Sequence, residues 1–96
     1  MGIVRLSHLA DRDLDDIRNY IERDNSLAAN SMLDNVVDAL EILAIHPEMG
    51  ERRSDLGENL CAFVVRPYVI FYHPSVDGIH IARVIHGARD FPALFE

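Results

Sequence analysis

Residues 83–92 read RVIHGARDFP, with Arg83, His86 and Arg89 gathered around Gly87. They follow an apolar run whose composition is that of a buried strand. Basic groups beside a flexible hinge at a strand end supply binding charge where scaffolds commonly present working residues. Arg83 has the parity of Ile79, Ile81 and Ile85. It either packs its stem while its head reaches the rim, or pairs with a buried carboxylate. Arg89 is expected to be exposed, and Arg66 interrupts an otherwise apolar run. Arg52 and Arg53 stand near Glu51 and Asp55, the spacing of solvent-exposed pairs worth little energy.

Other chemistries are thin. His80 and His86 are six residues apart, about 20 Å along a strand, and do not ligate one ion together. His73 can approach one of them across the hairpin, but no cysteine or acid cluster completes a metal shell at normal spacing. Cys61, the one cysteine, sits in a strand-like apolar run and reads as a small core residue. A phosphate loop is absent, because HGARD has one glycine and precedes no long helix. Residue chemistry alone thus supplies exposed arginine and no complete catalytic set.

The elements that must position these groups follow from periodicity. GIVRL is a short strand, and Ser7 caps the helix after it, with Asp11 and Asp13 in the early turns. Ala10, Leu14, Ile17 and Ile21 form its apolar stripe. Arg12, Asp15, Asp16, Arg18 and Glu22 form the solvated face, with Arg12–Asp16 and Arg18–Glu22 as i,i+4 pairs. Asn25 or Ser26 caps a second helix whose stripe is Ala29, Met32, Leu33, Val36, Leu40 and Leu43, ended by His46-Pro47. So short a connection makes the two helices an antiparallel hairpin. EMGERRSDLGEN reads as a polar loop. Arg66-Pro67 then divides LCAFVVRPYVIFYHP into two strands, SVDG makes a hairpin turn, and IHIARVIHGARD is a last, central strand. On that strand Ile79, Ile81, Arg83 and Ile85 share one face, and His80, Ala82, Val84 and His86 the other. FPALFE is an apolar tail that docks on the core. The order β-α-α-β-β-β is a single α+β domain over residues 1–96, an N-terminal strand and helical hairpin packed on a mostly antiparallel sheet.

Composition narrows the function classes. The formal charge is -7, from 9 basic residues, all arginine, against 16 acids. Ten of the acids lie in residues 1–48, which carry -6, whereas residues 49–96 carry -1. Such a field repels a phosphate backbone and argues against a sequence-specific nucleic-acid binder. A single cysteine excludes an internal disulfide. No apolar run approaches the roughly 20 residues that span a bilayer, and no signal core is visible, so a cytoplasmic protein without membrane contact is expected.

The order of elements, with DLDDIRNYI, LAIHPEMGERR and PYVIFYHPSVDGIHIARVIHGARD, resembles the ParE toxins of the ParE/RelE superfamily, the toxic halves of type II toxin–antitoxin pairs. The resemblance spans nearly the whole chain, and YVIFY followed by IARVIHGARD is its specific part. It implies a small three- or four-stranded sheet with an N-terminal helical hairpin, no cofactor, and one of two activities. RelE-like members cut mRNA in the ribosome with basic residues and, often, a tyrosine near the C-terminus. ParE-like members inhibit DNA gyrase and stabilise its cleaved-DNA state. The RelE arginine falls on Arg89 and the RelE tyrosine on Phe95, which exchanges no proton. No lysine replaces it. The resemblance therefore implies a non-enzymatic gyrase inhibitor, with Arg89, His86 and the tail through Phe95 facing the target and Arg83 and Arg66 in support. Relatives commonly carry arginine near the position of Cys61, a departure here. The implied partner is a ParD-like antitoxin whose disordered segment folds over apolar surface, with Leu27, Met32 and Val37 as the contact. The alternatives are a RelE-like ribosome-dependent endonuclease and a non-toxic member that retains only antitoxin binding.

Overall fold

A computed structural model describes residues 2–24, 27–87 and 91–95. The chain runs β1 (Ile3–Leu6), α1 (His8–Asp24), α2 (Leu27–Ile45), a 3-10 turn (Pro47–Met49), β2 (Glu51–Arg52), β3 (Cys61–Val65), β4 (Tyr68–Ser75), β5 (Gly78–His86) and α3 (Phe91–Leu94). The strands form one sheet in the order β1-β5-β4-β3-β2. β1 lies parallel to β5, and the other neighbours are antiparallel. The α+β fold expected from the sequence is therefore present, with five strands where the resemblance implied three or four. The fifth is β2, two residues inside what reads as a polar loop. That loop also buries Leu56 and Leu60. Two isolated leucines give no period, so sequence alone did not mark them as core.

The described members of both helical stripes behave as their spacing requires. Ala10, Leu14, Ile17 and Ile21 are buried, as are Val36, Leu40 and Leu43, while Met32 and Leu33 pack at the margin of the same core. These residues meet Cys61, Tyr68, Ile70, Tyr72, Ile79, Ile81 and Val84 on one face of the sheet. The opposite face holds a second cluster of Leu56, Leu60, Ala62, Val69, Phe71 and Ile85, closed by Phe91 and Phe95 of the apolar tail. α2 ends where Pro47 forbids another turn, its last bond running from His46 N to Ile42 O. The Tyr72 hydroxyl then secures the exit: it donates to Pro47 O at 2.6 Å and accepts from Gly50 N at 2.9 Å. A Cβ on Gly50 would stand 2.3 Å from that hydroxyl, so the contact requires glycine. On the solvated face of α1, Arg18 bonds Asp15 at 2.6 Å, and not Glu22 as an i,i+4 pair. Helical side chains lean toward the N-terminus, so Arg18 reaches back one turn.

The last strand departs from simple alternation. Ile81 is opposite Tyr72, whereas Arg83 is opposite Phe71, so Ala82 is an extra residue, a β-bulge. Before it Ile79 and Ile81 face the helices; after it Val84 does, and Ile85 joins the second cluster. The expected set Ile79, Ile81, Arg83 and Ile85 is thus split between the two faces. β5 is paired on both sides only through Ile81, and the middle of the sheet is β4.

Beyond Ile81 the outer edge of β5 is taken by the start of α1. Ser7 N donates to Ile81 O at 2.9 Å, and Ser7 Oγ donates to Ala82 O at 2.7 Å. The same hydroxyl caps α1 by accepting from Ala10 N at 3.0 Å. Asp13 accepts from Val84 N at 3.0 Å and from Arg83 Nε and a terminal nitrogen at 2.7 and 3.0 Å. These bonds raise the Arg83 guanidinium above its ordinary pKa. At the other end of β1, Arg5 grips both oxygens of Asp77 in the β4–β5 turn at 2.9 and 2.8 Å. Gly78 begins β5 there, and a Cβ on it would meet Ile3 O at 2.0 Å.

Two measurements test this latching. Ser7→Ala removes a cap and should cost about 1 kcal/mol. Asp13→Ala strands Val84 N and a largely buried guanidinium and should cost about 2–3 kcal/mol. Both would be read as shifted urea midpoints at unchanged m, and an Asp13→Ala loss no larger than that of Ser7→Ala contradicts the assignment. The second concerns Asp77, whose hydrogen bond from Arg5 lowers its pKa from 3.8 to about 2. A depressed carboxylate stabilises the fold above its unfolded pKa and loses that effect as pH falls through its folded value. The small Tm advantage of wild type over Asp77→Asn should therefore be complete above pH 4 and fade toward pH 2.

Candidate functional site

The β3–β4 turn and the exit of β5 lie side by side, because Gly87 N donates to Pro67 O at 2.8 Å. That bond brings exposed Arg66 to the same end of the sheet as exposed His86. His86 pairs with Tyr68 in the β4–β5 register, and the rings meet edge to face with centroids 5.9 Å apart. Tyr68 is buried against the helical core, and that burial, with a smaller contribution from Tyr20 of α1, raises its phenol pKa. The phenol therefore keeps its proton at neutral pH.

Of the five residues the sequence placed toward a target, the structure brings His86 and Arg66 together. Arg83 sits three residues earlier on β5, with its guanidinium engaged by Asp13 and 16% of its side chain exposed. It took the second of the two roles left open for it, that of pairing with a shielded carboxylate. Phe95 lies on the opposite face, where its ring stands edge-on to Phe71 at 4.9 Å beside Phe91. It holds the tail to the sheet. Arg89 lies outside the described residues. Tyr68 was missed, since a tyrosine opening an apolar strand reads as core. Its partner His86 is exposed at the strand end.

The second candidate surface is apolar. Leu27 is 87% exposed and Val37 is 43% exposed, whereas Met32 packs on the helical core and is not an open contact. Further exposed apolar side chains lie along the chain at Ile42, Ile45 and Met49. The signal for it is that α2 is apolar on more than one face through LEILAI, more than one sheet contact consumes. Ile3, Leu6 and Leu9 are also exposed along β1 and the start of α1. On the far side of the sheet, β2 pairs only with Cys61 and Ala62, which leaves the edge of β3 from Phe63 to Val65 uncovered among the described residues.

Metal and thiol chemistry stay in the background. Among the described residues no group of three or more histidines, cysteines or acids is placed to hold an ion. Cys61 is buried and free. No described helix is long and apolar enough to cross a membrane.

Comparison with known proteins bears on all of this. The family model for the ParE toxin of the type II toxin–antitoxin system parDE matches residues 4–91. Among curated relatives, Toxin RelE2 of Caulobacter vibrioides is 39% identical over 77 residues, covering 80% of this chain and 85% of that one. Toxin ParE3 of the same organism is 28% identical over 94 residues, covering 97% and 94%. A solved structure described as a chromosomal ParDE system from P. aeruginosa superposes with a TM-score of 0.69 at 17% identity, covering 90% of this chain and 96% of that one. The last shows the same fold. A match across nearly the whole chain shows more: the protein belongs to the ParE toxin family, within the ParE/RelE superfamily of type II toxin–antitoxin toxins.

Proposed function

We propose that this toxin acts without catalysis, by binding DNA gyrase and stabilising its cleaved-DNA complex. The observation that carries the reading is the environment of Phe95. The residue at the position of the RelE tyrosine is packed against Phe71 at 4.9 Å and has no proton to give. The formal charge of -7 also disfavours docking on ribosomal RNA. Arg66 and His86, with Arg89 next in sequence, form the target-facing set. Arg83 and Phe95 act behind them, Arg83 by fixing β5 to α1 and Phe95 by fixing the tail to the sheet. A ParD-like antitoxin neutralises the toxin by folding a disordered segment over the apolar side chains that α2 leaves in solvent.

A second reading, ribosome-dependent mRNA cleavage, is favoured by the 39% identity to Toxin RelE2 and by the Tyr68–His86 pair, which places an imidazole beside a phenol. The two readings part in one set of assays. Purified full-length toxin should inhibit gyrase supercoiling and accumulate cleaved DNA, and leave message on translating ribosomes intact by primer extension. Arg66→Ala should weaken inhibition on the order of tenfold, the loss typical of an interface arginine. Unimpaired supercoiling together with cleaved message would transfer the assignment to the second reading. For the antitoxin, Ile42→Asp and Ile45→Asp should each abolish rescue of growth by the cognate antitoxin while the toxin stays folded. Full rescue of both variants places the contact elsewhere.

A further inference from the structure

Away from the strand-end cluster, the β4–β5 hairpin sets two histidines directly opposite each other. His73 and His80 are register partners, two steps from the turn at Val76–Asp77. Directly opposed residues on an antiparallel pair have Cβ atoms about 4.5–5.5 Å apart and side chains on the same face. That face is the one turned away from the helices, since the flanking residues Ile79, Ile81 and Tyr72 are buried in the helical core. His80 is exposed and His73 is half-buried.

The tautomer of His73 is set by its neighbour. Its Nδ1 lies 3.0 Å from the carbonyl oxygen of Asn59. A carbonyl only accepts, so Nδ1 carries the proton, and in the neutral ring Nε2 is left with its lone pair. Donation of one ring N–H to a backbone carbonyl is how protein scaffolds orient imidazoles that bind metal through the other nitrogen. The charge beside the pair is compensated. Arg5 stands next to His80 in the parallel β1–β5 register, but its guanidinium is held by both oxygens of Asp77, which also accepts from Ser75 Oγ at 3.2 Å. A bound cation there would meet an ion pair rather than a lone positive charge.

We propose that His73 and His80 form an open, two-imidazole site for a borderline divalent transition metal, of the zinc, nickel and copper class. Two imidazole nitrogens at about 2.0–2.1 Å from a tetrahedral ion stand about 3.3–3.4 Å apart. The Cβ separation of an opposed pair brings two rings within that reach. Imidazole ligands select this class over calcium and magnesium, which take oxygen shells. With two protein ligands the remaining positions go to water, which makes the ion exchangeable and the order of affinity that of the Irving–Williams series, copper above nickel. Bound metal clasps the turn end of the hairpin and stabilises the folded state by mass action.

The test uses the full-length, untagged chain and the metal ions alone. Titration calorimetry with Zn(II) and with Ni(II) is run on wild type, His73→Gln, His80→Gln, the double variant and a control, His46→Gln, with folding checked by circular dichroism. Loss even of an outer partner of a metal ligand costs about 10- to 100-fold in affinity. Each single variant should therefore lose at least about tenfold. The double variant should lose little more than either single, because one remaining imidazole no longer chelates. The control should bind as wild type does. A second readout needs no variant: substoichiometric Cu(II) should broaden amide signals first around residues 73 and 80. Absence of binding at millimolar metal, equal affinity in either single variant, a matching loss in His46→Gln, or broadening centred elsewhere would each overturn the site.

Discussion

Five strands give this sheet two edges, and one strand next to an edge outruns its neighbour. β1 is four residues long and β5 nine, so the outer edge of β5 past Ile81 would carry bare carbonyl and amide groups. Unpaired strand edges are costly when buried and adhesive when exposed. The chain settles this with two residues at the start of α1, through the amide and hydroxyl of Ser7 and the carboxylate of Asp13. Ser7 serves Ile81 and Ala82, and Asp13 serves Val84 while pairing Arg83. The interaction couples the helical hairpin to the sheet directly, in addition to the apolar contact between them. It also uses the N-terminal turn of α1, where the helix already favours an oxygen acceptor at its cap. The remaining geometry of the molecule hangs on it.

The bulge at Ala82 is the second half of that arrangement. It offers its carbonyl to Ser7 Oγ, and it changes which residues of β5 face the helices. Without the extra residue, Ile85 would face the helical core and Val84 the tail. With it, one strand contributes to two cores, and the apolar tail finds Ile85, Val69 and Phe71 on its own side. The tail is thereby seated against aromatic edges by Phe91 and Phe95. Basic groups that are close in sequence around Gly87 are accordingly not equivalent in space. His86 stands with Tyr68 and near Arg66, while Arg83 is drawn to α1.

The chain belongs to the ParE toxin family of type II toxin–antitoxin systems. A toxin of this kind must present one face to a target and remain coverable by an antitoxin. The chain has two distinct exposed features that suit two such partners: a polar strand end with Arg66 and His86, and a run of apolar side chains on α2 and along β1. Their separation matters physically, because apolar surface recruits a disordered segment that folds on binding, whereas charge and hydrogen bonding set orientation on a structured target.

Much of this was legible in the residues. The stripes Ala10–Leu14–Ile17–Ile21 and Val36–Leu40–Leu43, the Ser7 cap, the Pro47 stop and the Arg66-Pro67 break all follow from local periodicity and backbone chemistry, and the structure has each of them. They were readable because each depends on residues within a turn or two of one another. What the sequence could not determine is whatever depends on residues far apart. The bulge at Ala82 arises from how β5 meets β4 and α1, the burial of Leu56 and Leu60 from a face supplied by other strands, and the use of Arg83 from an aspartate 70 residues earlier. The partnership of Tyr68 with His86, and of His73 with His80, is likewise a matter of register, which one extra residue shifts and no single strand encodes.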